Sequence, residues 1–467
     1  MNIFALRRQP WLNNVVIFIL RMSRDIKLLV DKDKFTQNIV LLVVCAGSMM
    51  SPLTMSSVNI AMPVMAAELR ADASLISWLP TIFLVSNVAL MLPFGKLADN
   101  IGRKRVYMSG LMVTAMASCG AAMATSIEGI LFFRFVQGGA SAMTLGTGVA
   151  MITSVYPANK RGMAIGINSA CIYIGLTIAP VLGGIVTELF GWRWVFAMPA
   201  PIALILVTLI AIFVKADWRK EQQLPFDWQG TVIFGTGTTL FVIALTELPQ
   251  WNYVLMLLAA LMLIGLFVWH QSAIAQPLIR WQMFTQSRQY SCSLAAAFFM
   301  YASLYPLVFL LSLYLQYIHQ LSPSDTGKIL LMQGVAMAIL APLSGRLSDS
   351  IQPRKIATIG CLVVASGFLM LAQLDMNTTP FYIGSSLFLI GIGMGLFTSP
   401  NNNAVLSAVH SKDLGVAAAT MNLARVMGNV IGMSVVNLFI NTHLGDKQII
   451  PQYYLSHIHI SEPTRPY

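Results

Sequence analysis

Apolar residues in this chain run on for about 18 to 25 positions before a short polar break interrupts them, long enough for each run to cross about 30 Å of hydrocarbon as a helix. A helix keeps its backbone hydrogen bonds inside the segment, as lipid demands. Thirteen such spans are predicted, near 38–60, 77–94, 106–125, 130–155, 163–187, 193–214, 229–248, 253–271, 291–317, 325–344, 356–374, 380–408 and 414–440. Two of the breaks are alike. One runs from Gly95 through Asp99, Gly102 and Arg103 to Arg105; the other runs from Gly345 through Asp349 and Pro353 to Arg354 and Lys355. Each has a proline just upstream, Pro93 or Pro342. Gly175 and Ala179 in the fifth span recur as Gly428 and Gly432 in the thirteenth, at the same offset that carries Gly162-Met163-Ala164 onto Gly415-Val416-Ala417. Two related helical halves are therefore predicted, an arrangement common in carriers.

The breaks alternate in charge. One set carries Lys27, Lys32, Lys34, Lys96, Arg103, Lys104, Arg105, Lys160, Arg161, Lys215, Arg219, Arg280, Arg288, Arg346, Arg354 and Lys355; the other holds little beyond Arg70, Glu128, Arg193, Glu247, Asp375 and Lys447. Positive residues stay on the cytoplasmic side, so the N-terminus is expected inside an inner membrane. The predicted organisation is a cytoplasmic segment (1–36), an N-terminal six-helix bundle (37–214), a linker with two inserted spans (215–290), an incomplete C-terminal bundle (291–454) and a tail (455–467). Pairing the halves calls for a fourteenth span. Residues 455–466 resemble the translation of a sequencing-library adapter, so a last span lost by truncation is expected, with Met22 as the expected true start.

Composition agrees: 57% of the 467 residues are apolar and 10% charged, with mean hydropathy +0.71, whereas soluble domains carry about a quarter charged residues. The net charge of +11 then reads as loop topology rather than nucleic-acid binding. Cys45, Cys119, Cys171, Cys292 and Cys361 sit singly in apolar runs and suit packing better than metal or redox chemistry. Zinc-protease, hydrolase-elbow and phosphate-loop patterns are absent, and Gly391-Ile392-Gly393-Met394-Gly395 follows no strand, so an enzyme is not expected.

The candidate chemistry lies in a few polar residues within spans. Arg134, Gln137, Ser141 and Thr144 fall on one helical face, and a guanidinium at that depth should face protein or water. It fits a cavity wall or a structural clamp on a neighbouring helix's carbonyls. Arg425 has the same two readings. Asn59, Asn168 and Asn402 (within Pro400-Asn401-Asn402-Asn403) need partners, as an inner cavity or a broken helix would provide. Gly175, Pro180, Gly183 and Gly184 allow close helix packing and bending. Asp99 and Asp349 can face helix N-termini while Arg103 and Arg354 pair with carboxylates, and Gly95, Gly102 and Gly345 give room for turning. A conformational lock and a basic topology anchor both fit those loops.

The paired loops resemble the signature between the second and third spans of the major facilitator superfamily. Arg134-Phe135-Val136-Gln137-Gly138-Gly139 resembles its RxxQGxG pattern, and Gly175 to Gly184 resembles the glycine-proline signature of its antiporters. Leu53 to Pro63, Trp192 to Phe196 and Phe226-Asp227-Trp228 are similar to marks of the fourteen-span drug:proton antiporters. The resemblance implies an all-α membrane fold of two pseudo-symmetric six-helix bundles with two inserted helices. It also implies a proton-driven exporter of drugs or other amphiphiles, working by alternating access. A lock at the paired loops and an Arg134 beside the central cavity follow from it. The expected partners are a small-molecule substrate, the bilayer and, where export continues outward, a periplasmic adaptor. No cofactor is expected. One position departs from the pattern: Thr54 stands where the subfamily has an aspartate. That leaves Glu188, Glu247 or the missing span to couple protons, and makes neutral or anionic amphiphiles as suitable as cations. A narrow metabolite or siderophore exporter, and a membrane sensor that has lost coupling, remain as alternatives.

Overall fold

The computed structural model describes residues 10–218, 226–248, 250–274, 277–278, 282–375, 377–409 and 414–443, with the side chains of 10–33, 73–74, 158–159, 161–162, 169, 173, 342, 349–350, 414–415, 418–419 and 443 outside that description. The chain described is all helix: α1 (Pro10–Leu69), α2 (Ala73–Ile101), α3 (Arg103–Met123), α4 (Ile127–Val155), α5 (Ala158–Phe190), α6 (Trp192–Ala197), α7 (Pro199–Phe213), α8 (Trp228–Glu247), α9 (Trp251–Ala273), α10 (Gln282–Gln286), α11 (Arg288–Tyr317), α12 (Pro323–Ser350), α13 (Pro353–Leu371), α14 (Pro380–Ser407) and α15 (Leu414–His443). Caps written in the sequence set several starts. Ser126, Asp227, Ser287, Ser322 and Thr379 each accept a hydrogen bond from the backbone N–H three residues on. The turn between α2 and α3 passes through Gly102 at φ +118°, a conformation that side chains rarely adopt.

Among the described residues, twelve helical stretches are long and apolar enough to cross a membrane, against thirteen expected. The difference is α4. It is a 29-residue helix that buries Arg134, Gln137, Ser141, Thr144 and Thr147. The boundary expected at residue 36 falls inside α1, which continues unbroken from Pro10 to Leu69. The expected tail, 455–467, lies outside the described residues.

The same packing scheme is used twice. α1 lies on α5, α2 on α4 and α3 on α4; likewise α11 lies on α15, α12 on α14 and α13 on α14. The halves then meet along two equivalent seams, α5 with α12 and α2 with α15. The α8–α9 hairpin packs through α8 against α2 and α15, so it covers the second seam only. One place in the scheme differs. α7 packs on α1 and α3, whereas no described helix takes that position against α11 and α13. A groove of about 1620 Å³, bordered by Arg288, Gln289, Arg354 and Cys361, lies there instead.

We call the end bearing the paired loops the signature end. At the opposite, far end one apolar core runs through both halves, from Met62, Met65, Leu79 and Phe83 to Phe309, Leu313, Met394 and Met433. At the signature end the core divides. Val40, Tyr107, Ile152 and Leu206 belong to a cluster of the first half, and Tyr290, Leu294, Val405 and Met421 to one of the second, with Leu406 touching both. Side chains of the two halves pack against one another there, so van der Waals contact joins the halves at the far end.

Candidate functional site

Arg134 is completely buried in the middle of α4. Its Nε donates to the Leu79 carbonyl (3.3 Å), one terminal nitrogen donates to Gln137 Oε1 (3.1 Å), and the guanidinium lies 4.4 Å from the Phe83 ring centroid. Among the described residues the other terminal nitrogen has no hydrogen-bond partner and Arg134 has no ion pair. Gln137 passes the network on to Ser118 Oγ (3.0 Å). A buried guanidinium with one terminal nitrogen unpartnered marks a place where water, a moving helix or a ligand completes the shell.

Arg134 itself lines neither of the two cavities in this region. One of about 370 Å³ lies within the first half and is lined by Ser51, Thr54, Phe83, Gln137, Ser141 and Thr144. It gathers the polar stripe of α4 with Thr54, whose hydroxyl donates back to the Met50 carbonyl. The other, about 650 Å³, lies between the halves. α5 contributes Thr177 and Pro180, α11 Tyr301 and Tyr305, α12 Gln333 and Met337, and α1, α14 and α15 add Ser56, Met394 and Asn429. Tyr305 lies beside the Asn59 amide and within electrostatic reach of Arg134. The Tyr305 hydroxyl, Ser56 Oγ, both Asn59 amide atoms and Asn429 Oδ1 are buried without partners. Arg425 donates to Asn402 Oδ1 and lies 5.4 Å from the Tyr301 ring centroid, which brings two further predicted residues to the second half's side of this region. Asn168 is buried on α5 with its Oδ1 unpartnered, and does not line either cavity.

The predicted packing motif serves two contacts: Gly175 and Gly183 face α1 within the first half, and Pro180 and Gly184 face α12 at the α5–α12 seam. A Cβ on Gly183 would lie 2.6 Å from Ser57 Cα, one on Gly175 would meet Met49, and one on Gly184 would collide with the Pro323 carbonyl of α12. Gly327 answers from α12, where a Cβ would strike the Pro180 carbonyl, and Gly334 faces Thr177 Cα at 2.7 Å in the same sense. Thr177 donates to the Gly334 carbonyl (3.3 Å), and the Ser324 N–H donates to Glu188 at the far end (3.3 Å). Nearby, Ser312 and Gln316 of α11 donate to the carbonyls of Asn59 and Ile60 (2.9 and 3.0 Å). At the other seam, Asn437 Nδ2 donates to Thr81 Oγ1 (2.9 Å).

In the first signature loop Asp99 pairs with Arg103 at 2.9 Å, and Arg103 also donates to the Ala150 carbonyl (3.0 Å) and Ser154 Oγ (2.6 Å) of α4. Gly95 packs near Gly146 of α4. The loop is tied to the segment after α7: Arg105 pairs with Asp217 at 2.9 Å, Lys104 donates to the Val214 carbonyl, and the Asp217 carboxylate fills the space a side chain at Gly102 would need. In the second loop a Cβ on Gly345 would lie 2.7 Å from Ser399 Oγ, Arg354 is exposed, and the Asp349 side chain lies outside the described residues. The inserted hairpin has its own polar centre. Asp227 accepts hydrogen bonds from Gly230 N (2.7 Å) and Gln271 Nε2 (2.7 Å) and meets His270 Nε2 at 2.9 Å. Burial works to raise its pKa, but the bonds from Gly230, His270 and Gln271 outweigh it and hold the carboxyl below its ordinary value.

The sequence profile of the Major Facilitator Superfamily matches residues 44–433. The chain belongs to this superfamily. A curated member, the riboflavin transporter RibZ of Clostridioides difficile, is 30% identical over 405 residues, covering 86% of this chain and 88% of its own. The multidrug transporter protein MdtP of Bacillus subtilis is 27% identical over 405 residues, with 85% and 74% covered. Among solved structures, a bacterial homolog of the human lysosomal transporter Spinster superposes with TM-score 0.62 at 15% identity, covering 89% of this chain and 84% of that one. The chain is thus a multi-pass major facilitator transporter, and its relatives are transporters rather than enzymes.

Several groups at this transporter's centre escaped the sequence reading. Tyr301, Tyr305, Gln333 and Asn429 sit on three different helices and share no motif. Gln333 and Asn429 were legible only as lone amides inside apolar runs, which is a weak signal for a cavity wall. Asp217 lay hidden among basic loop residues.

Proposed function

We propose that this protein is a secondary active exporter of amphiphilic small molecules, driven by the proton gradient. It sits in an inner membrane with its N-terminus in the cytoplasm, and belongs to the fourteen-span drug:proton antiporters. The observation that carries the proposal is the cavity of about 650 Å³ between the halves, walled by α1, α5, α11, α12, α14 and α15, with a shared core at the far end and divided cores at the signature end. Substrate held there becomes accessible from alternate sides as the halves rock about it. Lysine and arginine clustering at the signature end supports a cytoplasmic placement of that end. The names of two relatives, one for riboflavin and one for multiple drugs, support an organic solute. The test is dye flux in proteoliposomes with and without an imposed proton gradient. Gradient-dependent uphill flux is expected, and flux indifferent to the gradient would remove the coupling.

A second reading is narrow specificity for one metabolite. The relative named for a single vitamin, matched over 86% of this chain, favours it. Competition among a panel of solutes separates the two readings, because a narrow carrier responds to one member only.

A further inference from the structure

We propose that the inter-half cavity selects an uncharged, planar ring system with carbonyl-type acceptors on its edge, and discriminates against cations; this names the substrate class and rests on the transport function proposed above. Three observations lead there. First, no charged side chain is found among the described residues lining the cavity, whose walls are Tyr301, Tyr305, Met337 and apolar neighbours with the amides of Gln333 and Asn429. Tyrosine rings and methionine thioethers pack on flat aromatic faces, which favours a planar guest.

Second, the electrostatic surroundings are positive. Arg425 lies 5.4 Å from the centroid of the Tyr301 ring on the wall, and Arg134, which does not line the cavity, is within electrostatic reach of Tyr305. None of the 18 acidic residues of the chain falls in the middle third of a candidate span: Glu68, Asp99, Glu188, Glu247 and Asp325 all sit near helix ends, and Asp72, Asp217 and Asp227 lie outside the spans. A guest cation would therefore lose its hydration with two guanidiniums nearby and no carboxylate lining its site. A neutral guest avoids that penalty.

Third, the wall holds unused hydrogen-bonding capacity of both kinds, donors among it. The Ser56 hydroxyl is buried without a partner, and the Tyr305 hydroxyl lies beside the Asn59 amide; each can donate a proton as well as accept one, and the Gln333 side chain on the opposite helix presents an amide N–H2 and an oxygen. Donors left open in a buried wall are satisfied by a guest bearing acceptors, so ring carbonyls match them. The unpartnered Asn429 Oδ1 offers one acceptor for a ring N–H or hydroxyl.

Nile red and Nile blue make a matched pair, since they share one benzophenoxazine ring and differ in a carbonyl oxygen against a cationic iminium. Binding is measured as ligand-induced thermal shift and by titration of the purified protein in detergent; flux is measured separately in proteoliposomes. Nile red is expected to bind at least tenfold more tightly than Nile blue. Gln333→Glu, which places a carboxylate on the wall, is expected to raise Nile blue affinity about tenfold, while Gln333→Met does not. Tyr305→Phe, which removes a donor and keeps the ring, is expected to weaken Nile red several-fold and leave Nile blue unchanged. Nile blue bound as tightly as Nile red by the unmodified protein, or neither dye bound, overturns the assignment. Nile red bound but never moved in vesicles would instead sink the transport reading and leave the substrate class standing. Flux of cations in preference to neutral dyes does the reverse.

Discussion

The two seams between the halves occupy equivalent places in the pseudo-symmetric fold yet are closed by different means. Along α5–α12, backbone meets backbone: Gly184 against Pro323, Pro180 against Gly327 and Thr177 against Gly334, with no room for a Cβ at any of the three glycines. Along α2–α15, side chains make the contact through Asn437 and Thr81, and α8 lies over the seam, where Asn441 donates to the Thr246 carbonyl (3.1 Å). In lipid, small residues give packing that no hydrophobic effect supplies, so the first seam depends on shape. The second depends on a hydrogen bond and a third helix. The inserted hairpin thus adds support to one seam and leaves the other, beside the cavity, facing the bilayer.

That contrast can be broken most sharply at Gly184. Gly184→Leu should force α5 from α12, with a destabilisation of about 1–3 kcal/mol from overpacking and flux reduced at least tenfold, read by vesicle assay beside a melting curve. Unchanged flux would mean that the glycine seam is not a working contact. Asp227→Ala should come next. It strips Gly230 N, Gln271 and His270 of their shared acceptor, at about 1–3 kcal/mol for unsatisfied buried groups. Hydrogen exchange in α8 and α9 should rise while α5 and α12 keep their protection. The same anchor has a pH signature. Its carboxyl is held below the ordinary value of 3.8, so its stabilisation is fully present above that value and is lost as the pH falls through the depressed one. Asn437→Ala removes a single interhelical hydrogen bond, about 0.6 kcal/mol in a membrane, and a two- to threefold effect on flux is expected because α8 still covers the seam. Glu188→Gln, at an exposed contact with the Ser324 N–H, should change melting by less than about 0.5 kcal/mol.

Much of the fold was legible because lipid imposes simple rules. Span lengths, the repeated loops and the glycine-proline run in α5 could be read directly, since each rests on local composition. Arg134 stood out for the same reason: a charge inside an apolar run has few explanations. The span at 130–155 was legible despite Arg134 and Gln137, and its polar residues are tolerated because α4 is sheltered by α1, α2 and α3. The cavity between the halves was hidden. Ser56, Tyr305, Gln333 and Asn429 are far apart in sequence and unremarkable one by one, and only the docking of two halves brings them together. The signature loop was found, but its fastening was not. Asp217 reads as one acid among basic neighbours until Gly102 leaves the space it fills.

Rocking of the halves about the central cavity is tested most directly by fastening the far end. Cysteines placed at positions 188 and 324, in a background cleared of the five native cysteines, flank the contact between Glu188 and the Ser324 N–H. Oxidative cross-linking of that pair should abolish flux, and reduction should restore it. Full transport with the cross-link closed would contradict alternating access through separation of these helices.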